Sequence, residues 1–158
     1  MANLQSTSIP NITVEQNLNV DGILNSTGIG IYGFKSDGGS ANTTSGPIQW
    51  NGIRQNSGIT TSNSTSRFTV PQDGYYFVSF RNIGSNRGTT SRTWIQVNGS
   101  TSGRVRAYGR AGSHDYPMTL AFSIYQLSEG DYIEYNKDSN EMYQRGSDYT
   151  QFSIFKIA

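Results

Sequence analysis

Apolar and polar positions alternate along much of this chain with a period of two, the signature of strands, and no stretch sustains the 3.6 period of a helix. The alternation fails in the stretch RFTVPQDGYYFVSF, residues 67–80. After Gly74 both parities are apolar: Tyr76, Val78 and Phe80 fall on one face of a strand, Tyr75 and Phe77 on the other. The last stretch repeats the pattern, with Phe152 and Ile154 on one side and Phe155 and Ile157 on the other. A strand in a two-layer sandwich hides one face and wets the other. Two strands that are apolar on both faces therefore predict a second dry contact, outside the core.

Strands are expected at 29–35, 47–54, 67–70, 74–83, 92–98, 103–109, 117–127, 131–136 and 149–157. Turn clusters separate them, among them Ser85-Asn86-Arg87-Gly88, Asn98-Gly99 and Ser128-Glu129-Gly130-Asp131. Asn98-Gly99 after TWIQV predicts a hairpin turn. The pattern is that of an all-β sandwich or jelly roll. Residues 9–27 differ: Ile12, Val14, Leu18 and Val20 share one parity among polar neighbours. A lone half-apolar strand cannot hold itself together in water. It reads either as a first strand of the main sheet or, preferred here, as an N-terminal arm or stalk, residues 1–27, ahead of a head at 28–158.

The ordered set IQWNGIRQNSG, RFTVPQDGYYFVSF, WIQVNG, LSEGDYIEY and FSIFKI resembles the complement C1q/TNF-like jelly roll over about residues 30–158. The matching positions are Trp50 (where the family has Phe), Phe68, Pro71, Gly74, Tyr76, Phe80, Asn98, Gly99, Leu127, Gly130, Asp131 and Phe152. The resemblance implies a compact homotrimer. In a trimer Tyr75, Phe77, Phe155 and Ile157 are the expected subunit contacts, since an obligate interface is like a core cut in half. The segment ITVEQNLNVDGILNSTG is similar to the N-L-x-V-x-G-x-L stretches of phage fibre and spike stalks. An arm of about 20 residues reaches at most ~70 Å at ~3.3 Å per residue, enough for docking and a short neck.

Composition narrows the setting. Of 158 residues 15% are charged, the net charge is +1 and there is no cysteine. Neither nucleic-acid binding nor membrane insertion is expected. The absence of cysteine and of a visible signal peptide, set beside an Asn/Ser/Thr/Tyr-rich surface, suits folding in a host cytoplasm and release by lysis, as virion proteins travel.

Few residues suggest chemistry. Gly28-Ile29-Gly30-Ile31-Tyr32-Gly33 is a literal G-x-G-x-x-G, but a polar stretch precedes it and Gly-rich KSDGGS follows, so crowded strand packing is the better reading than a nucleotide site. His114 is the only histidine and reads as a surface loop residue. No nucleophile–base pair or zinc spacing can be assembled, so an enzyme is not expected. No cofactor is expected either, with calcium at the loop NKDSNEMYQRGSD as the minor alternative. The late acids are Glu129, Asp131, Glu134, Asp138, Glu141 and Asp148, the last three of them in that loop. The N-x-[ST] tripeptides at Asn11, Asn25, Asn42, Asn63 and Asn98 are read as chance matches in such a chain.

Arginines gather where acids are missing: Arg81, Arg87, Arg92, Arg104, Arg106 and Arg110 lie between Asp73 and Asp115. Their ordinary use is pairing with the late acids. The sharper one is a patch of Arg87, Arg104, Arg106, Arg110, Tyr108 and Tyr116 that grips an acidic capsid surface or an anionic glycan. The expected function is a trimeric phage capsid decoration (cement) or head-fibre protein on the virion surface. Its arm would be anchored through Ile12, Val14, Leu18 and Val20 to the major capsid protein or a fibre base. The alternative is a fibre knob that recognises host glycans by stacking on Tyr108, Tyr116, Tyr143 and Tyr149.

Overall fold

The computed structural model describes residues 28–35, 41–42, 45–61, 66–84, 87–138, 142–143 and 149–158. The arm with Ile12, Val14, Leu18 and Val20 lies outside them. The described residues form strands only: β1 (Gly30–Phe34), β2 (Ala41–Asn42), β3 (Gly46–Pro47), β4 (Gly52–Ser57), β5 (Thr60–Thr61), β6 (Arg67–Thr69), β7 (Gly74–Ile83), β8 (Thr90–Val97), β9 (Val105–Arg110), β10 (Met118–Leu127), β11 (Tyr132–Lys137), β12 (Met142–Tyr143) and β13 (Gln151–Lys156). The long strands sit where the alternation places them. One expectation is corrected. Residues 47–54 are not a single strand, because β3 ends at Pro47 and β4 begins only at Gly52. Ile48 and Trp50 instead turn into the core between β3 and β4, and the Ile48 amide donates to the Tyr135 carbonyl at 2.8 Å.

Two antiparallel sheets stack as a sandwich. The first has the order β10-β7-β13-β1-β4; the second has β5-β6-β11-β8-β9, with β3 beside β11. Ile31, Tyr76, Val78, Phe80, Phe152 and Ile154 of the first sheet meet Phe68, Ile95, Ile133 and Tyr135 of the second, all at most 1% exposed. Phe152 is the hub of this core, its ring centroid 4.4 Å from Phe68 and 4.5 Å from Trp50; Trp50 meets Phe80 edge-on at 5.7 Å. Offset and edge-on rings bury large areas with favourable quadrupole alignment. The family-like aromatics Trp50, Phe68, Phe80 and Phe152 are therefore one cluster.

The other family-like residues tie turns together. Asn98 and Gly99 both take positive φ, 52° and 67°, and the Ser100 amide donates to the Val97 carbonyl at 2.9 Å. That is the type I′ geometry expected of Asn-Gly. The hairpin is longer than two residues, however, since β9 starts only at Val105. Asn98 spends its side chain on β11: Nδ2 donates to Asp131 Oδ1 at 2.7 Å, and Oδ1 accepts from the Tyr132 amide at 2.9 Å. Asp131 Oδ2 in turn accepts from the Ser128 amide at 2.8 Å. Toward the C-terminal end of β7 the interior becomes polar, with Asn82, Ser91, Thr93, Thr119, Lys137 and Thr150 all buried. Burial lowers the pKa of the Lys137 ammonium.

Candidate functional site

The register of the first sheet decides what its outer face carries. Phe77 lies between Ile124 of β10 and Phe155 of β13, and Phe155 faces Gly30 of β1. One row further, Phe122 faces Ser79 and Ser79 faces Ser153; beyond that, Leu120 faces Arg81. Tyr75 closes the lower edge, where its carbonyl accepts from the Ile157 amide at 2.8 Å. The structure thus brings Tyr75, Phe77, Phe155 and Ile157 onto one face. Phe77 is half-buried and the other three are 41–55% exposed.

Sequence reasoning missed the largest part of this face. Met118, Leu120, Phe122 and Ile124 are 56–64% exposed, while Thr119, Ala121 and Leu127 of the same strand point inward. The signal is present in MTLAFSIYQL, where Met118, Leu120, Phe122 and Ile124 share one parity. The parity that faces water is the more apolar one. A contiguous apolar face of this kind marks an interaction surface.

The outer face of the second sheet has the opposite character. On it Trp94 Nε1 donates to Gln96 Oε1 at 3.1 Å, Gln96 Nε2 donates to Glu134 Oε2 at 2.7 Å, and Arg67 Nε donates to Glu134 Oε1 at 3.0 Å. Arg67 also lies over the Tyr132 ring, 4.5 Å from its centroid. The carboxylate raises the Arg67 guanidinium's pKa further, chiefly through this hydrogen bond. Beside this relay, β8 and β9 frame a groove of ≈ 340 Å³ lined by Arg92, Trp94, Arg104, Arg106, Tyr108 and Asp138, with Thr93 and Ala107 beneath. Arg104 lies over Trp94 at 5.4 Å and Arg92 over Tyr108 at 5.7 Å. Arg92 also reaches Asp138 at 3.5 Å, so it is paired with a late acid as expected.

The six-residue patch is thereby divided. Arg104, Arg106 and Tyr108 line the groove, and Arg110 follows on β9 opposite Thr90. Arg87 does not line it but lies over Tyr116 at 5.2 Å in the turns beyond β8 and β9. Sequence reasoning missed Trp94 as a groove wall, because its neighbours on the sheet and not along the chain make it one. Tyr149 is exposed, and the side chain of Tyr143 lies outside the described residues.

The remaining motifs take structural places. The G-x-G-x-x-G enters β1, a strand flanked by β13 and β4. A Cβ at Gly33 would collide with the Gly52 carbonyl and the Phe152 ring, so this glycine permits close packing. His114 sits in an exposed turn. Asp131 supports a turn and the Glu129 amide donates to Asp73 Oδ1 at 2.7 Å, while Glu134 belongs to the relay and Asp138 to the groove; Glu141 and Asp148 lie outside the described residues, as does most of the loop considered for calcium. Among the described residues no three His, Asp or Glu side chains converge as metal ligands, and no helix is long and apolar enough to cross a membrane.

Comparison with known proteins adds the fold's relatives. The profile of the C1q domain matches residues 33–157. No curated protein sequence matches. Among solved structures, the globular domain of zebrafish complement 1qA superposes with a TM-score of 0.67 at 12% identity, covering 82% of this chain and 98% of that one. Eiger TNF from S. frugiperda gives 0.66 at 13% identity, covering 83% and 93%. Murine APRIL gives 0.61 at 13% identity, covering 82% and 99%.

Proposed function

We propose, from the premise that this chain belongs to the C1q domain family, that it is a structural and binding module which assembles as a homotrimer through the outer face of its first sheet. One observation carries this reading. Met118, Leu120, Phe122, Ile124, Tyr75, Phe155 and Ile157 lie together on the outside of that sheet, each 41–64% exposed in the single chain. Left in water, such a face has no counterpart to its exposed area; covered by copies of itself, it becomes the apolar centre of an obligate interface.

The trimer would be the head of a virion surface protein, most economically a phage capsid decoration or cement protein. Residues 1–27 would be the arm that attaches it, through Ile12, Val14, Leu18 and Val20, to the major capsid protein or a fibre base. A protein that binds only the assembled shell stabilises that shell by mass action. The similarity of the arm to phage stalk segments and a cysteine-free chain support this setting. A second reading, a fibre knob that recognises host glycans, is favoured by the arginine–aromatic groove on the opposite face.

Light scattering tests the assembly: a mass of three 17.4 kDa chains is expected at micromolar concentration, and a mass of one chain refutes it. Removing residues 1–27 tests the attachment. The expected result is an intact trimer that no longer sediments with capsids; a shortened head that still decorates them refutes the anchoring role.

A further inference from the structure

The groove on β8 and β9 differs from an ordinary charged surface in how its arginines are held. Arg104 lies over Trp94 and Arg92 lies over Tyr108, so both guanidinium planes are fixed by ring faces and not by carboxylates alone. Stacking on a ring leaves the in-plane N–H donors unused. Arg104 Nε is buried and has no hydrogen-bond partner. Arg106, exposed on the same wall opposite Trp94, makes no ion pair among the described residues. Three arginines surround the space against the single acid Asp138, itself engaged by Arg92. The groove therefore keeps an excess of positive charge with pre-oriented, unused donors, which is a demand for an anion. A planar guanidinium fork matches the two oxygens of a carboxylate best.

The walls say what carries the carboxylate. A volume of ≈ 340 Å³ lies at the small end of ligand sites and suits one or two sugar rings. Trp94 and Tyr108 supply flat apolar flanks. A peptide added as a strand would need a free edge of β9. The residues that line the groove lie on the face of β8 and β9 and not along that edge. Recognition here is by side chains on a sheet face.

We propose that this groove binds a carboxylated saccharide. Arg104 and Arg106 take the carboxylate, Trp94 and Tyr108 flank the ring, and the Arg92–Asp138 pair holds the third wall. The proposal shares its ligand class with the knob reading but does not require the trimer, so the mass of the same sample separates failure of one from failure of the other.

The test is calorimetric titration of the full-length chain with short oligosaccharides of galacturonate, of glucuronate and of N-acetylneuraminate, beside neutral galactose oligomers and an oligo-aspartate peptide of equal charge. At least one acidic saccharide is expected to bind, with the neutral oligomers and the peptide weaker by about tenfold, the worth of a charge-assisted contact. Arg106→Gln is expected to weaken that saccharide about tenfold without moving the melting temperature, since Arg106 is exposed and packs no core. Tyr108→Ala should weaken it while leaving its salt dependence in place. Failure of all three acidic saccharides to bind overturns the proposal. So does equal binding of the peptide, or affinity untouched by Arg106→Gln.

Discussion

The two sheets turn opposite surfaces outward. On the second sheet Trp94, Gln96, Glu134 and Arg67 form one continuous hydrogen-bonded relay, while in the groove beside it Arg104 and Arg92 are stacked on rings and Arg106 makes no ion pair among the described residues. On the first sheet Phe122, Ile124, Leu120 and Phe155 stand out from the strands. Arg81, which donates to Gln151 at 3.0 Å, adds a polar group near its upper edge. A surface whose polar groups are mutually satisfied is complete in water. A surface of unpaired large apolar groups is complete only when something covers it. On the proposed reading, the first face serves assembly and the groove on the second serves recognition.

That contrast breaks most easily at Phe122. Phe122→Asp places a carboxylate at the centre of the apolar face without touching the core, since the ring is 62% exposed. About 2 kcal/mol of ring burial is lost per copy, and the carboxylate adds a desolvation cost. Light scattering should then report a single 17.4 kDa chain, while Arg106→Gln on the other face leaves the assembled mass unchanged. A Phe122→Asp protein that keeps the full mass would show that the apolar face is not where the copies meet.

Glu134→Gln probes the self-sufficiency of the second face. The two carboxylate oxygens accept from two donors, Gln96 Nε2 and Arg67 Nε. An amide has one accepting oxygen, so one donor must face another donor. A buried unsatisfied group costs about 1–3 kcal/mol, and a loss of that size is expected in denaturant unfolding, with the mass unaltered. No loss would mean that the relay is decorative.

The smallest effect concerns the core beneath both faces. Burial raises the pKa of the Tyr135 phenol well above its ordinary 10.0, and its hydroxyl donates to the Ser153 carbonyl at 3.1 Å. Below pH 10 the phenol is protonated folded or unfolded, and its contribution is intact. Above that, the unfolded chain releases the proton while the folded chain retains it, so stability falls as pH rises toward the folded value. Lys137 acts in the opposite sense. Its lowered pKa makes burial of the ammonium a cost that fades as pH climbs through the folded value to its ordinary 10.5. Tyr135→Phe should lower stability by about 1 kcal/mol at neutral pH and flatten the alkaline decline. A wild-type decline that survives the substitution unchanged would assign it to other groups.

Much of the architecture is legible along the chain because it rests on local chemistry. Asn98-Gly99 has to turn, and Tyr76, Val78 and Phe80 have to share a face, whereas the break between β3 and β4 is not read from the sequence. The double apolar character of β7 and β13 points to an outer contact from residue order alone. The groove is half legible: Arg104, Arg106 and Tyr108 are near neighbours along the chain, whereas Trp94 and Asp138 join them only across strands. By itself the sequence determined the period of each strand, the places of the turns and the aromatic set from which the core is drawn. The tertiary structure alone decided which parity of β10 faces water. An alternating strand reads the same from either side, and only its register against β7, with Ala121 beside Phe80 and Phe122 beside Ser79, fixes its larger side chains on the outside.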